Sequence, residues 1–277
     1  MEDQSTYIYS KGNDRALLWI HVDDCVLGAS SMDLMNYLKF KLEERLLLKW
    51  DIGIHSIVGI ELRRTGNNFH LLQPSLSKKV CESCPSNIMA EKPFSEINLK
   101  SGLAINLDKN YLARIGMILY LDQATRPDLM YLVSYLAHFS INPTKVYWMA
   151  LEALINYLRG MQNNSLTINT NESQEGLKIY VDANWGGEAS RSQHGFIDFL
   201  WGYPMTWNSR RQTCVASSTC QDEYMALSFS ARVGIWISQE IDVIHRGIVP
   251  ILISDNKEAI QIASDSGSKK NSRHIQR

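Results

Sequence analysis

The order of apolar runs in the last hundred or so residues leaves few folds open. "LKIYVDANW", "HGFIDFLWGYPMTW" and "RRQTCVASS" are β-rich runs bounded by turn residues and read as three strands. A long helical stretch follows from near Ser218. There Ser218 and Gln221 have capping-box spacing, and Gly247 ends the element. "IVPILISD" then reads as a further strand and "NKEAIQIASDS" as a further helix. Three antiparallel strands, a helix, a strand and a helix make an α/β unit of about 100 residues.

Upstream the pattern changes twice. Residues 1–92 read as strands and short helices. "ALLWIHV" is a β-rich run, "MDLMNYLKFKLEERL" carries Leu34, Tyr37, Leu38 and Leu42 at helical spacing, and "SIVGIELRRTGNNFHLLQP" is two extended runs about a Gly-Asn-Asn turn. Residues 93–170 read as helical. "YLARIGMILYLDQAT" stops at Pro127, "LMYLVSYLAHF" at "INPT", and "KVYWMALEALINYLRG" at Gly160, which reads as a C-terminal cap. The Met and Tyr residues of this region are expected in its core. Polar "MQNNSLTINTNESQEG" reads as the linker to the last unit, 171–277.

The chain has 277 residues, room for roughly two ordinary domains, and a net charge of −1, so it is not a strongly basic nucleic-acid binder overall. Basic residues gather locally at Arg210 and Arg211 and at Lys269, Lys270, Arg273 and Arg277, where a solvated loop and a frayed end explain them equally well. There is no apolar run of membrane-spanning length and no basic-then-apolar leader, so the expectation is an intracellular, non-secreted protein. Five cysteines suit a reducing compartment. Cys81 and Cys84 form a CxxC without the second half of a zinc site, and read as plain cysteines.

Two sets of acids could carry chemistry. Asp23 and Asp24 stand side by side in the apolar run "ALLWIHVDDCVLGAS", where burial without a cation would cost several kcal/mol. In the last unit Asp182 and Asp255 sit at strand ends and Glu223 in the first turn of the long helix. An α/β fold can converge such residues, and a hard-oxygen set suits Mg2+ or Mn2+; two such ions stabilise both oxygens of a phosphoryl displacement. The alternative is that Asp255 caps its helix and Glu223 favours a helix N-terminus. Spacing does not decide between them.

The motifs "YVDANWGG", "SRSQHGF", "QTCVASSTCQDEYMALS", "ISDNKEAI" and "SRHI", in that order over about residues 177–276, closely resemble the ribonuclease H domain of copia-type retrotransposon Pol polyproteins. "LLWIHVDDCVLGAS" and "IVGIELRRTGNNFHLLQPSL" resemble the paired-Asp motif and following strands of the reverse transcriptase of the same elements. The segment from "YLARIGMILYLDQATRPD" to "ALEALINYLRG" is similar to the part joining the two. The resemblance implies an α+β / α/β chain: a partial reverse-transcriptase palm over 1–92, a helical thumb or connection segment over 93–170, and a ribonuclease H-like domain with a mixed sheet and flanking helices over 171–277. It implies that Asp182, Glu223 and Asp255 are catalytic and hold two Mg2+ (or Mn2+) ions, which activate a water to cut the RNA strand of an RNA–DNA hybrid. Ser192 and Gly195 match a small-residue turn, structural or at most substrate-facing.

Two departures from the family pattern shape the expected activity. Gln276 stands after "SRHI", where the family commonly has an Asp; neutral Gln binds a hard cation much less well than carboxylate. His21 replaces the usual Tyr before Val-Asp-Asp, and the earlier palm Asp and nucleotide-binding fingers have no counterpart, so Asp23 and Asp24 read as a polymerase-motif remnant, at a hairpin tip, without autonomous DNA polymerase activity. The expected function is a Pol fragment with nominal ribonuclease H activity, partnered by RNA–DNA hybrid and by other Pol segments, in a cytoplasmic retrotransposon particle or the nucleus. The alternative is a catalytically inactive remnant that at most binds nucleic acid.

Overall fold

In the computed structural model the described residues are 5–93, 110–169, 176–186, 191–242 and 245–264. The chain opens with an antiparallel meander, β1 (Thr6–Lys11), β2 (Asp14–His21) and β3 (Asp24–Ala29), followed by α1 (Met32–Glu43). Ser31 caps α1 in extended conformation, its Oγ accepting from the Leu34 N–H at 3.2 Å.

A second sheet, in the order β4 (Ser56–Ile57), β5 (Ile60–Thr65), β6 (Asn68–Leu72), β7 (Leu166–Asn169), corrects the linker reading. Residues 166–169 are a strand, pairing Leu71 with Leu166 and Phe69 with Ile168. Alternation in "LTIN" is too short to stand out beside the polar residues around it.

Helices α2 (Pro74–Glu82), α3 (Asn110–Thr125), α4 (Met130–Ala137) and α5 (Lys145–Gly160) form the first core, around Ile115, Ile118, Leu151, Leu154 and Leu158. A 3₁₀ turn, Pro127–Leu129, joins α3 to α4. Cys81 and Cys84 lie buried in this core as free cysteines, and burial pushes the Cys81 thiol up. The expectation that the Met and Tyr residues are core holds for Tyr111 and Tyr157. It fails for Tyr131, Tyr120 and Met149, which stay exposed.

Gly160 also has a different reason from the one its position suggests. It is the last residue of α5 and does not take a left-handed φ. A Cβ there would collide with the Ala90 carbonyl, because the segment before residue 91 lies directly on α5. Ala90 N–H donates to Asn156 O at 3.1 Å, and Arg159 reaches Ile88 O at 3.1 Å and Cys81 O at 2.6 Å.

The third sheet follows the order β10 (Tyr203–Arg211), β9 (Gln193–Leu200), β8 (Leu177–Asn184), β11 (Ile251–Ile253). The first three are antiparallel and β11 is parallel to β8, a mixed sheet compatible with the ribonuclease H-like arrangement. The long helix α6 (Thr219–Asp242) packs on β8 and β9, and α7 (Lys257–Ser264) packs on α6. Ile179, Phe196, Leu200, Leu227 and Ile237 fill the core between. Gly234 lets α6 approach closely, since a Cβ there would strike Ile179. The α6 start matches the capping expectation with a variation. Ser218 Oγ accepts from Gln221 N at 3.2 Å, while Gln221 Oε1 accepts from Ser217 N at 2.7 Å rather than from Ser218.

The first core meets the third sheet through named bonds. Trp207 Nε1 donates to Asp122 O at 2.9 Å, and Ser134 Oγ donates to Ser209 O at 2.6 Å. This contact places α4 across the edge of the sheet face that α6 leaves open.

The Ala90 contact sets an expectation opposite to helix propensity. Gly160→Ala, which in a free helix stabilises by about 1 kcal/mol, is expected here to lower stability by roughly 1–3 kcal/mol, as overpacking against fixed backbone does. Thermal denaturation reads the sign; a raised Tm would show that the 84–90 segment yields.

Candidate active site

Strand geometry does most of the assembly. Tyr180 on β8 pairs in parallel register with Ile253 on β11. Two residues further along each chain stand Asp182 and Asp255, so the register brings them level at the same end of the sheet. Glu223 is the fifth residue of α6 and comes over that end from above, accepting a hydrogen bond from the Ala183 backbone N–H. One carboxylate oxygen from each of Asp182, Glu223 and Asp255 lies within 4.8 Å of the other two. The three residues singled out in the sequence are thus brought together, from positions up to 73 apart.

The bland reading of Asp255 as a cap does not hold, because the cap is its neighbour. Asn256 Oδ1 accepts from the Ala259 N–H at 2.9 Å and occupies the N-terminus of α7, leaving Asp255 exposed and turned to the cluster. Glu223 is only 7 % exposed, and its Oε2 has no hydrogen-bond partner. Burial, followed by the negative charges of Asp182 and Asp255, pushes its carboxyl up to about 7.

Residues missed in the sequence hold this arrangement. Asp222 is fully buried, and Gln212 Nε2 donates both to its Oδ1 and to its backbone carbonyl, the latter at 3.1 Å. Gln212 N–H in turn donates to Ser192 O at 2.8 Å. Burial pushes the Asp222 carboxyl up to about 6, against the hydrogen bonds from Ser192 and Gln212. Ser192, fully buried, also accepts from Gly186 N–H through its Oγ at 3.2 Å, so its role is to tie the turn to α6. Gly195 pairs with Asp182 across β8 and β9 and lines the open sheet face. A polar residue next to the conspicuous Glu gives no signal by itself; only the pairing with Gln212, ten residues earlier, marks Asp222.

Asp23 and Asp24 lie elsewhere. They form the tip of the β2–β3 hairpin, both exposed, next to Val22 in a left-handed φ of 53°. Among the described residues no third metal-ligating side chain joins them, and the one such cluster is that of Asp182, Glu223 and Asp255. Gln276, Lys269, Lys270, Arg273 and Arg277 lie outside the described residues. No helix among the described residues is long and apolar enough to cross a membrane.

The chain resembles several known proteins. The chain is 25 % identical over 286 residues to the retrovirus-related Pol polyprotein from transposon RE2 of Arabidopsis thaliana, covering 99 % of this chain and 19 % of that protein. It is 27 % identical to the corresponding polyprotein from transposon TNT 1-94 of Nicotiana tabacum, over 95 % of this chain and 21 % of that protein. A 130-residue stretch, 46 % of this chain, is 38 % identical to the secreted RxLR effector protein 161 of Plasmopara viticola, over 91 % of that protein. No family model matches. The chain spans about a fifth of the length of the Pol relatives it matches.

The crowding of three carboxylates has a measurable cost in the metal-free protein. A glutamate with a raised pKa is neutral in the folded chain and ionised in the unfolded one between about pH 4.5 and 7, so folding weakens as pH rises through that window. Glu223→Gln is therefore expected to raise Tm at pH 8 in chelator by roughly 3–8 °C, with the gain fading towards pH 4.5. Scans at both pH values check it; an unchanged or lowered Tm at pH 8 would refute the assignment of strain.

Proposed function

Since the homologues of this chain over nearly its whole length are copia-type retrotransposon Pol polyproteins, we propose that it hydrolyses the RNA strand of RNA–DNA hybrids in a divalent-metal-dependent reaction. The observation that carries this reading is the convergence of Asp182, Glu223 and Asp255 within 4.8 Å.

The donor set fits hard cations. It is all oxygen, two of its members are open to solvent, and the third keeps a buried oxygen without any partner. Asp182, Glu223 and Asp255 are the residues to hold Mg2+ or Mn2+. A bound pair of such ions supplies an activated water and neutralises charge on the oxygens of the phosphoryl displacement.

The protein's own contribution is to place and protect the set. Parallel register fixes Asp182 beside Asp255, and the Asp222–Gln212–Ser192 chain fixes where α6 begins, hence where Glu223 falls. Glu223, held nearly buried, favours the neutral form near pH 7 when alone, so a cation that displaces its proton gains from every one of the three charges. The exposed position of Asp182 and Asp255 leaves that side open to a polymer too large to enter a closed pocket.

The hairpin acids Asp23 and Asp24 take no part in this reaction. Both are exposed at the β2–β3 hairpin and lie outside the carboxylate cluster.

Incubation of the chain with a 5′-labelled RNA annealed to DNA, in Mg2+ or Mn2+, tests the proposal. Cleavage products are expected with either metal, none in EDTA, and a fall of roughly 100-fold or more for Asp182→Asn. Intact RNA with both metals would instead favour a non-catalytic member that at most binds nucleic acid.

A further inference from the structure

The sheet face opposite α6 carries a cleft that the hydrolytic site alone does not explain. It begins as a groove of about 610 Å³ beside Asp182 and Asp255 and runs over Gly195 to Met130 and Tyr131 of α4. A second groove, of about 290 Å³, shares Tyr131, Asn184 and Gln193 with the first, so the two are continuous. Its walls are Tyr135 and Phe139 on one side and Trp185, Arg191 and Arg211 on the other.

We propose that this cleft is the track on which one strand of the nucleic-acid substrate lies as it leaves the carboxylate cluster. The proposal rests on the hydrolytic reading above and adds to it a binding surface shared between α4 and the third sheet.

Charge is the first argument. The cleft is acidic at the end where cations would sit and cationic at the other, and none of the residues walling the second groove is acidic. Among the described residues neither Arg191 nor Arg211 is in a salt bridge, although Arg211 lies near enough to Tyr135 to act on its hydroxyl. A phosphate held at the cluster would direct the following phosphates towards these guanidinium groups. The distance suits this, since Asn184 is two residues beyond Asp182 on β8, about 7 Å at the usual strand rise.

Shape is the second. Tyr131, Tyr135 and Phe139 recur at every fourth position, with ring centroids 6.4 and 5.4 Å apart. Tyr131 is 45 % and Trp185 38 % exposed. Part-exposed aromatic rings facing cations give a strand apolar contact for its sugars, and for any unpaired base at its end, while its phosphates are paired.

Rigidity is the third. Gln193 Nε2 donates to Ser134 Oγ at 3.2 Å and to Ser209 Oγ at 2.9 Å, and Ser134 bonds the Ser209 carbonyl. These bonds lock α4 to β9 and β10, so the cleft exists before anything enters it. Association then need not order its walls.

Fluorescence anisotropy with a labelled RNA–DNA hybrid, in EDTA so that nothing is cleaved, tests the track over a range of salt. The double variant Arg191→Gln/Arg211→Gln is expected to bind roughly 10-fold or more weakly, with the log K against log salt slope reduced by about 1.5–2. Trp185→Ala is expected to weaken binding by roughly 5-fold while keeping the slope. Lys78→Gln, on α2 away from the cleft, should leave both unchanged. A double variant that keeps wild-type affinity and slope, or a Lys78→Gln loss as large as that of the double variant, would overturn the track. If the wild type cleaves while the double variant binds normally, the track is wrong and the hydrolytic reading stands. If the wild type binds through the cleft and cleaves nothing in Mg2+ or Mn2+, the track stands and the hydrolytic reading is wrong.

Discussion

The buried contact between Asp222 and Gln212 is the constraint on which the functional end of this chain depends. It joins the first turn of α6 to the loop that leaves β10, and Gln212 is itself bonded to Ser192 at the start of β9. Helix α6 could slide along the sheet on its apolar face alone, since packing of Leu227, Ile237 and Ile179 resists separation more than translation. A polar bond in a buried setting has a single good register, because breaking it leaves both partners unsatisfied at a cost of about 1–3 kcal/mol each. Gly234 acts further down the same helix by letting α6 lie close against Ile179. Together they fix Glu223 over Asp182.

That fixed position works against the stability of the metal-free chain. Four acids, Asp182, Asp222, Glu223 and Asp255, crowd one end of the sheet, and the raised pKa values of Asp222 and Glu223 record both burial and mutual repulsion. Asp222 accepts from Gln212 through Oδ1 and its backbone carbonyl, while its Oδ2, like Glu223 Oε2, has no partner. Two neighbouring residues with similar charge thus have different parts: one is bonded to Gln212 and holds the helix, the other lies against Asp182 and Asp255, where a cation would be held. Such a local cost, kept where the rest of the fold is well packed, is what a site built for an added ligand looks like.

Much of this is legible in the sequence because the signals are local. The strand that leads into Asp182, though it runs on to Asn184 instead of ending there, the strand end preceding Asp255, the capping residues before α6 and the hairpin around Gly66 are each written in a few adjacent residues. What is not legible depends on distant partners. Residues 166–169 look like linker until β6 offers them an edge, and Gly160 looks like a cap until Ala90 is seen against it. Tyr131 and Tyr135 share the periodicity of core aromatics, and periodicity cannot tell a face that meets a core from one that borders a cleft. Asp222 is hidden beside Glu223 for the same reason: its partner lies on another element.

The two acidic pairs of the chain show how far neighbours decide chemistry. Asp23 and Asp24 are adjacent in sequence, yet they are carried on the tip of a three-stranded meander with only Ala16 and Leu34 buried around it. Asp23 lies in the turn and Asp24 opens β3, so the pair needs a further ligand from another element to close round a cation. Asp182 and Asp255 lie 73 residues apart and meet because a parallel strand pair sets them level, with a long helix delivering the third oxygen from above. Sheet register, rather than closeness in the chain, makes the second set a candidate centre. The same register lines Gly195 and Gln193 along the exit from it, where α4 supplies the aromatic wall. The helical core therefore does more than join two units: locked to Ser209 through Ser134, it completes the surface on which the carboxylates would act.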